Sequence, residues 1–129
     1  MTTNFSEFVI SYISDKADIG IRAIDKNGKI IYCNRKMEEI LGIKKEDMLN
    51  KYIFDVHKDL EGSSSTLLNC LRTGKPINNK VKMQLNNKGV AAYNIVTNIP
   101  IIKDDEIIGA IEYIKTEDSY AELLKYIEN

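Results

Sequence analysis

Residues 19–42, IGIRAIDKNGKIIYCNRKMEEILG, admit little besides a strand, a tight turn, a returning strand and a short helix. Ile19, Ile21 and Ile24 give residues 19–24 the β-branched, mostly apolar character of a half-buried strand. In the turn over residues 25–29, Asn27 and Gly28 both tolerate the positive φ of a type I′ hairpin. Residues 30–33 form the returning strand, and Asn34 stands where a side-chain oxygen caps the first free N–H groups of a helix. Met37, Ile40 and Leu41 then follow at helical spacing, and Gly42 suits the left-handed residue that ends it.

The rest of the chain supplies partners for this unit. Phe5, Phe8, Val9, Tyr12 and Ile13 make one apolar stripe on an N-terminal helix capped by Thr3 or Asn4. Such a stripe must cover something, either its own domain's sheet or a second copy, and the sequence leaves both open. Residues 43–62 carry Ile43, Met48, Leu49, Ile53, Phe54 and Val56 without a sustained period, as short helical turns and loops over a core edge would. Residues 63–71 read as a helix capped by Ser64 or Ser65, burying Leu67, Leu68 and Leu71 and stopped by the TGKP of residues 73–76.

From residue 77 the pattern turns to strands. Residues 77–85, 91–102 and 107–115 are separated by turns at 86–89 and 103–106, the middle run being interrupted only at Pro100. With the opening hairpin they predict an α+β fold: a five-stranded antiparallel sheet with two helical segments crossing one face. In residues 119–129, Tyr120, Leu123, Leu124 and Ile127 form a seam of barely more than one heptad, the expected start of a longer helix that this chain truncates.

Composition narrows the function classes. The length of 129 residues fits one domain that encloses a core without disulfides or metal. With 18 basic against 19 acidic side chains there is no electrostatic footprint for nucleic acid or an anionic membrane. Cys33 and Cys70 lack metal-ligand spacing and read as reduced thiols. The first residues lack the basic start of a signal peptide, and no apolar run approaches the ~18 residues of a membrane span, so a soluble cytoplasmic module is expected. There is no nucleophile elbow, phosphate-binding Gly loop or metal-ligand cluster, and Asp104-Asp105-Glu106 reads as a solvated turn. No enzymatic activity is expected.

The order of AIDKNGKIIYCN, a helix ending in LG, a second helical region ending in TGKP and three strands closing with IIGAIEYIKTED resembles a PAS domain. The likeness covers residues 19–118, and Asp25, Gly28, Ile30 and Asn34 match its D-x-x-G-x-I-x-x-x-N pattern. The runs SSSTLLNCLRTGKPI and NIVTNIPIIKDDEIIGAIE are similar to the N-terminal sensory PAS domain of sigma-54-dependent transcriptional activators of the arginine-utilisation-regulator type. The resemblance implies a sheet of order 2-1-5-4-3 with helices cupping one face around a small cavity, and no catalysis. It divides the chain into a flanking helix (residues 1–14), a sensory domain (15–118) and the start of a signalling helix (119–129). It also implies a homodimer through the flanking helices, coupled to an output domain.

The same resemblance frames the cofactor question. Flavin-binding relatives use a Cys in an N-C-R-F-L-Q context; KYIFDVHKDLEG has none and Cys70 falls inside the next helix, so covalent flavin is not expected. His57, the only His, lies between Val56 and Lys58 in an apparent loop and reads as a surface or cavity-rim residue rather than a haem ligand. A small polar metabolite remains. Asn94 and Asn98 share a strand face with Ala92 and Val96, and Gln84 on the partner strand can join them. Arg22 either points inward, where a carboxylate ligand would balance it, or faces solvent or pairs with Glu112. Tyr113 shares a face with Ile111, and by resemblance that face meets the cavity. The candidate ligand-binding residues are thus Arg22, Gln84, Asn94, Asn98, Ile111 and Tyr113. Two alternatives stay open: a ligand-free dimerisation scaffold whose cavity is filled by Met37, Ile40, Leu67, Leu68 and Met83, and the sensor of a histidine kinase.

Overall fold

The computed structural model describes residues 4–57, 66–85, 89, 91–117, 125 and 127, with the backbone alone for 83–85, 91, 92 and 117. Strands β1 (Gly20–Asp25) and β2 (Ile30–Cys33) form the opening hairpin. Its turn is not type I′. The Asp25 carboxylate accepts from the Asn27 and Lys29 N–H groups at 2.9 and 3.0 Å, and the Gly28 N–H donates to the Asp25 carbonyl at 3.0 Å. Gly28 alone is left-handed, at φ 84°, so the Asp25 side chain rather than an Asn27-Gly28 pair sets the turn. Pairing then runs Ala23↔Tyr32 and Ile24↔Ile30, skipping Ile31 as a bulge.

Strands β3 (Ile77–Leu85), β4 (Ala91–Lys103) and β5 (Glu106–Glu117) complete a sheet of order β2-β1-β5-β4-β3, antiparallel throughout. The two-residue connection from β4 to β5 has both residues left-handed, Asp104 at φ 52° and Asp105 at φ 64°, as a type I′ hairpin needs. Pro100 does not interrupt β4. Pairing with β3 ends at Ile77↔Asn98, so Pro100 lies where β4 is paired on one side only and a missing N–H is tolerated.

Helices α2 (Arg35–Leu41), α3 (Ile53–Val56) and α4 (Thr66–Thr73), with a 3₁₀ turn at Lys45–Asp47, cover one face. The core lies between them and the sheet: Ile24, Ile30, Met37, Met48, Ile53, Leu67, Cys70, Val96, Ala110 and Ile114 are buried, each large aliphatic contributing about 1.5–3 kcal/mol. Gly42, at φ 69°, ends α2 as expected. The caps at Ser64 and Ser65, the turn at 86–88 and the seam at Tyr120, Leu123 and Leu124 lie outside the described residues.

Asn34 ties the N-terminal helix α1 (Phe5–Lys16) to this body. Its Oδ1 accepts from the N–H groups of Ile21 and Met37, and its Nδ2 donates to the carbonyls of Ser14 and Ile19. Every hydrogen-bonding position of the amide is used. Asn4 caps the other end of α1, accepting from the Glu7 N–H at 2.8 Å. The apolar stripe itself stays bare: Phe5 is 80% and Ile13 62% exposed, and Ser14 is the helix's buried residue. It does not cover the sheet of its own chain. Among the described residues no helix is long and apolar enough to cross a membrane.

Candidate ligand site on the inner face of the sheet

Strand register sets a polar row into the helix-covered face. Glu112 of β5 lies between Arg22 of β1 and Asn98 of β4, directly paired with each. Directly opposed residues share a face, so all three side chains point the same way as Val96, Ala110 and Ile114 in the core. A second row, Lys82↔Asn94↔Thr116, runs nearer the other end of the sheet. The Val96↔Ile114 pair separates the two.

Arg22 is both inward and paired. It is 4% exposed, and its Nη2 donates to Glu112 Oε1 at 2.7 Å, an ion pair within the covered face. Its Nη1 lies 2.7 Å from His57 Nε2. A guanidinium can only donate, so Nε2 accepts and the imidazole carries its proton on Nδ1. Burial and the Arg22 charge push the His57 pKa down to about 4, opposed by Glu112, so the ring is neutral at ordinary pH. His57 is the half-buried C-cap of α3, and its ε nitrogen is engaged by Arg22.

Several polar atoms in the row are unpartnered. Asn98 is fully buried, and neither its Oδ1 nor its Nδ2 has a hydrogen-bond partner among the described residues; the same holds for Arg22 Nε. In the second row Asn94 Oδ1 accepts from Thr116 Oγ1 at 3.0 Å, and Lys82 Nζ donates to Thr66 Oγ1 at 3.4 Å. Burial lowers the Lys82 pKa, with Glu112 pulling it back up and Lys80 adding to the fall.

Of the six residues named from sequence, Arg22, Asn94 and Asn98 share the inner face, with Arg22 and Asn98 in one row and Asn94 in the other. Ile111 and Tyr113 do not. Ile111 pairs with Ala23 and Ile99, and Tyr113 with Ile21 and Thr97, which places both on the opposite face, half-buried. Period-two alternation makes this unavoidable once Glu112 faces inward. Gln84 pairs with Ala92, and its side chain is outside the described residues. Lys82, Thr66 and Thr116 were missed, although Lys82 pairs directly with Asn94, one of the residues named. Among the described residues no three of His, Cys, Asp and Glu converge as metal ligands.

The sequence profile described as PAS fold matches residues 11–111. The chain is 34% identical over 123 residues to Transcriptional activator RocR of Bacillus subtilis, a match that takes in 95% of this chain and 27% of that protein. It thus spans about a quarter of the curated relative it matches. In structure it resembles the PAS domain of a Colwellia psychrerythraea protein, with a TM-score of 0.69 at 18% identity over 87% of this chain and 97% of the other. The PAS domain of Bordetella pertussis BvgS is similar at a TM-score of 0.66 and 17% identity, over 97% and 96% of the two chains. Profile, sheet order and neighbours agree: the chain belongs to the PAS family.

Proposed function

We propose that this PAS domain is a cytoplasmic, non-catalytic sensory module that takes up a small anionic metabolite against its inner sheet face and thereby controls an attached output domain in transcription. The observation that carries the reading is the Arg22–Glu112–Asn98 row. Buried charge and an unpartnered amide cost stability in a core that apolar residues would fill better, and a ligand offsets that cost. The transcriptional output is supported by the likeness to Transcriptional activator RocR.

A homodimer through α1 belongs to the same reading. Phe5, Phe8, Tyr12 and Ile13 form a bare apolar stripe, and a second copy is the natural cover for it. Sedimentation of the purified chain tests this: Phe8→Glu with Ile13→Glu is expected to give monomers from a dimer. A scaffold without ligand is the second reading, favoured by one observation, that Arg22 already has Glu112 and His57 as partners.

A thermal-shift screen against organic acids and amino acids separates the two. A ligand that binds only the folded state raises Tm, by the equivalent of about 2.7 kcal/mol at a hundred times Kd. A rise with one chemical class, lost in Asn98→Leu, supports the sensor. A folded dimer that responds to none favours the scaffold.

A further inference from the structure

We propose that His57 and the ligand compete for Arg22: a ligand carboxylate takes the Nη1 position, and the imidazole leaves it. The inference rests on the reading of the inner face as a ligand site and adds both a ligand class and a residue that opposes binding.

Three observations lead to it. The guanidinium has one carboxylate, Glu112, on Nη2, a neutral acceptor, His57 Nε2, on Nη1, and, among the described residues, nothing on Nε. Both bonds have a charged donor, but only the one to Glu112 also has a charged acceptor and so the full Coulomb attraction between opposite charges; the His57 contact is the weaker and the one to yield. His57 is also the half-buried cap just beyond a four-residue helix, whereas Glu112 is set in a central strand.

The ligand class follows from Asn98. It stands in the same row, opposite Glu112, with a buried donor and a buried acceptor both unpartnered among the described residues. A bare carboxylate would meet Arg22 and leave this amide unsatisfied, at about 1–3 kcal/mol. A carboxylate that also carries a hydroxyl or an amide meets both. Small hydroxy or amide acids are therefore the fitting class.

The chain's single histidine makes the test direct. In ¹⁵N-labelled protein, long-range imidazole correlations report the tautomer and charge of His57 alone. Without additive, a fixed Nδ1–H tautomer is expected. Titration with sodium glycolate, against sodium acetate and sodium chloride at equal ionic strength, is expected to release that tautomer. Glycolate should act at several-fold lower concentration than acetate, with chloride inert. His57→Ala should bind glycolate several-fold more tightly, and Asn98→Leu should erase the advantage of glycolate over acetate.

Saturable glycolate binding with an unmoved His57 signal and unchanged affinity in His57→Ala would overturn the competition while leaving the ligand site standing. Failure of glycolate and acetate alike to bind wild type and His57→Ala, both folded by their amide spectra, would overturn the site and the competition together. An equal response to chloride would mark the effect as ionic strength and overturn the assignment.

Discussion

Arg22 and Glu112 stand 2.7 Å apart with 5% and 7% of their side chains exposed, although 90 residues separate them in sequence. Taking one partner away strands the other in the core. Arg22→Ala is expected to cost about 3–5 kcal/mol, whereas Arg22→Met with Glu112→Leu should be near neutral or stabilising. Urea unfolding of both variants decides it; a mild Arg22→Ala alone would mean that Glu112 reaches water.

Acid should weaken the fold through His57. Its folded pKa is about 4 against 6.5 unfolded, lowered by burial and by Arg22 and partly restored by Glu112. Between those values the unfolded chain binds the extra proton, so stability is complete above pH ~6.5 and falls as pH drops toward ~4, by at most ~1.4 kcal/mol per pH unit from this residue. Tm measured from pH 7 to 4.5 in wild type and His57→Gln should diverge in that window. Parallel curves would show that His57 does not titrate as described.

Asn34→Ala removes a helix cap and leaves the Ile21 and Met37 N–H groups and the Ser14 and Ile19 carbonyls without their partner. A loss of about 3 kcal/mol is expected. Asn34→Asp keeps the cap yet sets a carboxylate against two carbonyls, so it should not rescue. Amide exchange gives a local readout, with α1 losing protection first in both variants.

Gly109 is a spacing residue within β5. A Cβ there would lie 2.5 Å from the Ile24 carbonyl oxygen on β1, so Gly109→Ala must push the two central strands apart. A loss above about 2 kcal/mol is expected. Gly89→Ala provides the contrast. Among the described residues it meets no atom within 4 Å and carries only the strain of φ +78°, about 1–2 kcal/mol.

The elements with local signals were readable from the chain. Asn34 and Gly42 bound α2, and two strand runs meet at Asp104-Asp105, because caps and tight turns depend on residues a few positions apart. The turn type at Asn27-Gly28 was misread because the deciding group, the Asp25 carboxylate, acts from outside the pair.

The site was legible only in part, and the reason is parity. β5 carries apolar residues on both faces, Ala110 and Ile114 on one and Ile111 and Tyr113 on the other, so hydrophobic alternation cannot tell which face is inside. Glu112 appears out of place on an inner face until its opposition to Arg22 is known. The Arg22–Glu112 pair stands among the alternatives the sequence offers, whereas the reach of His57 to Arg22 is set by tertiary structure and leaves no trace in local spacing.

The Asp104-Asp105 turn also bears on how the sheet assembles in time. β4 and β5 are neighbours in sequence and can zip from that turn as a hairpin, within about 1–10 μs. β1 must instead find β5 across nearly the whole chain, bringing Gly20 to Ile114. Closure of so long a loop is the entropically expensive event, so of the two pairs that the central strand β5 makes, the one with β1 is expected to form last.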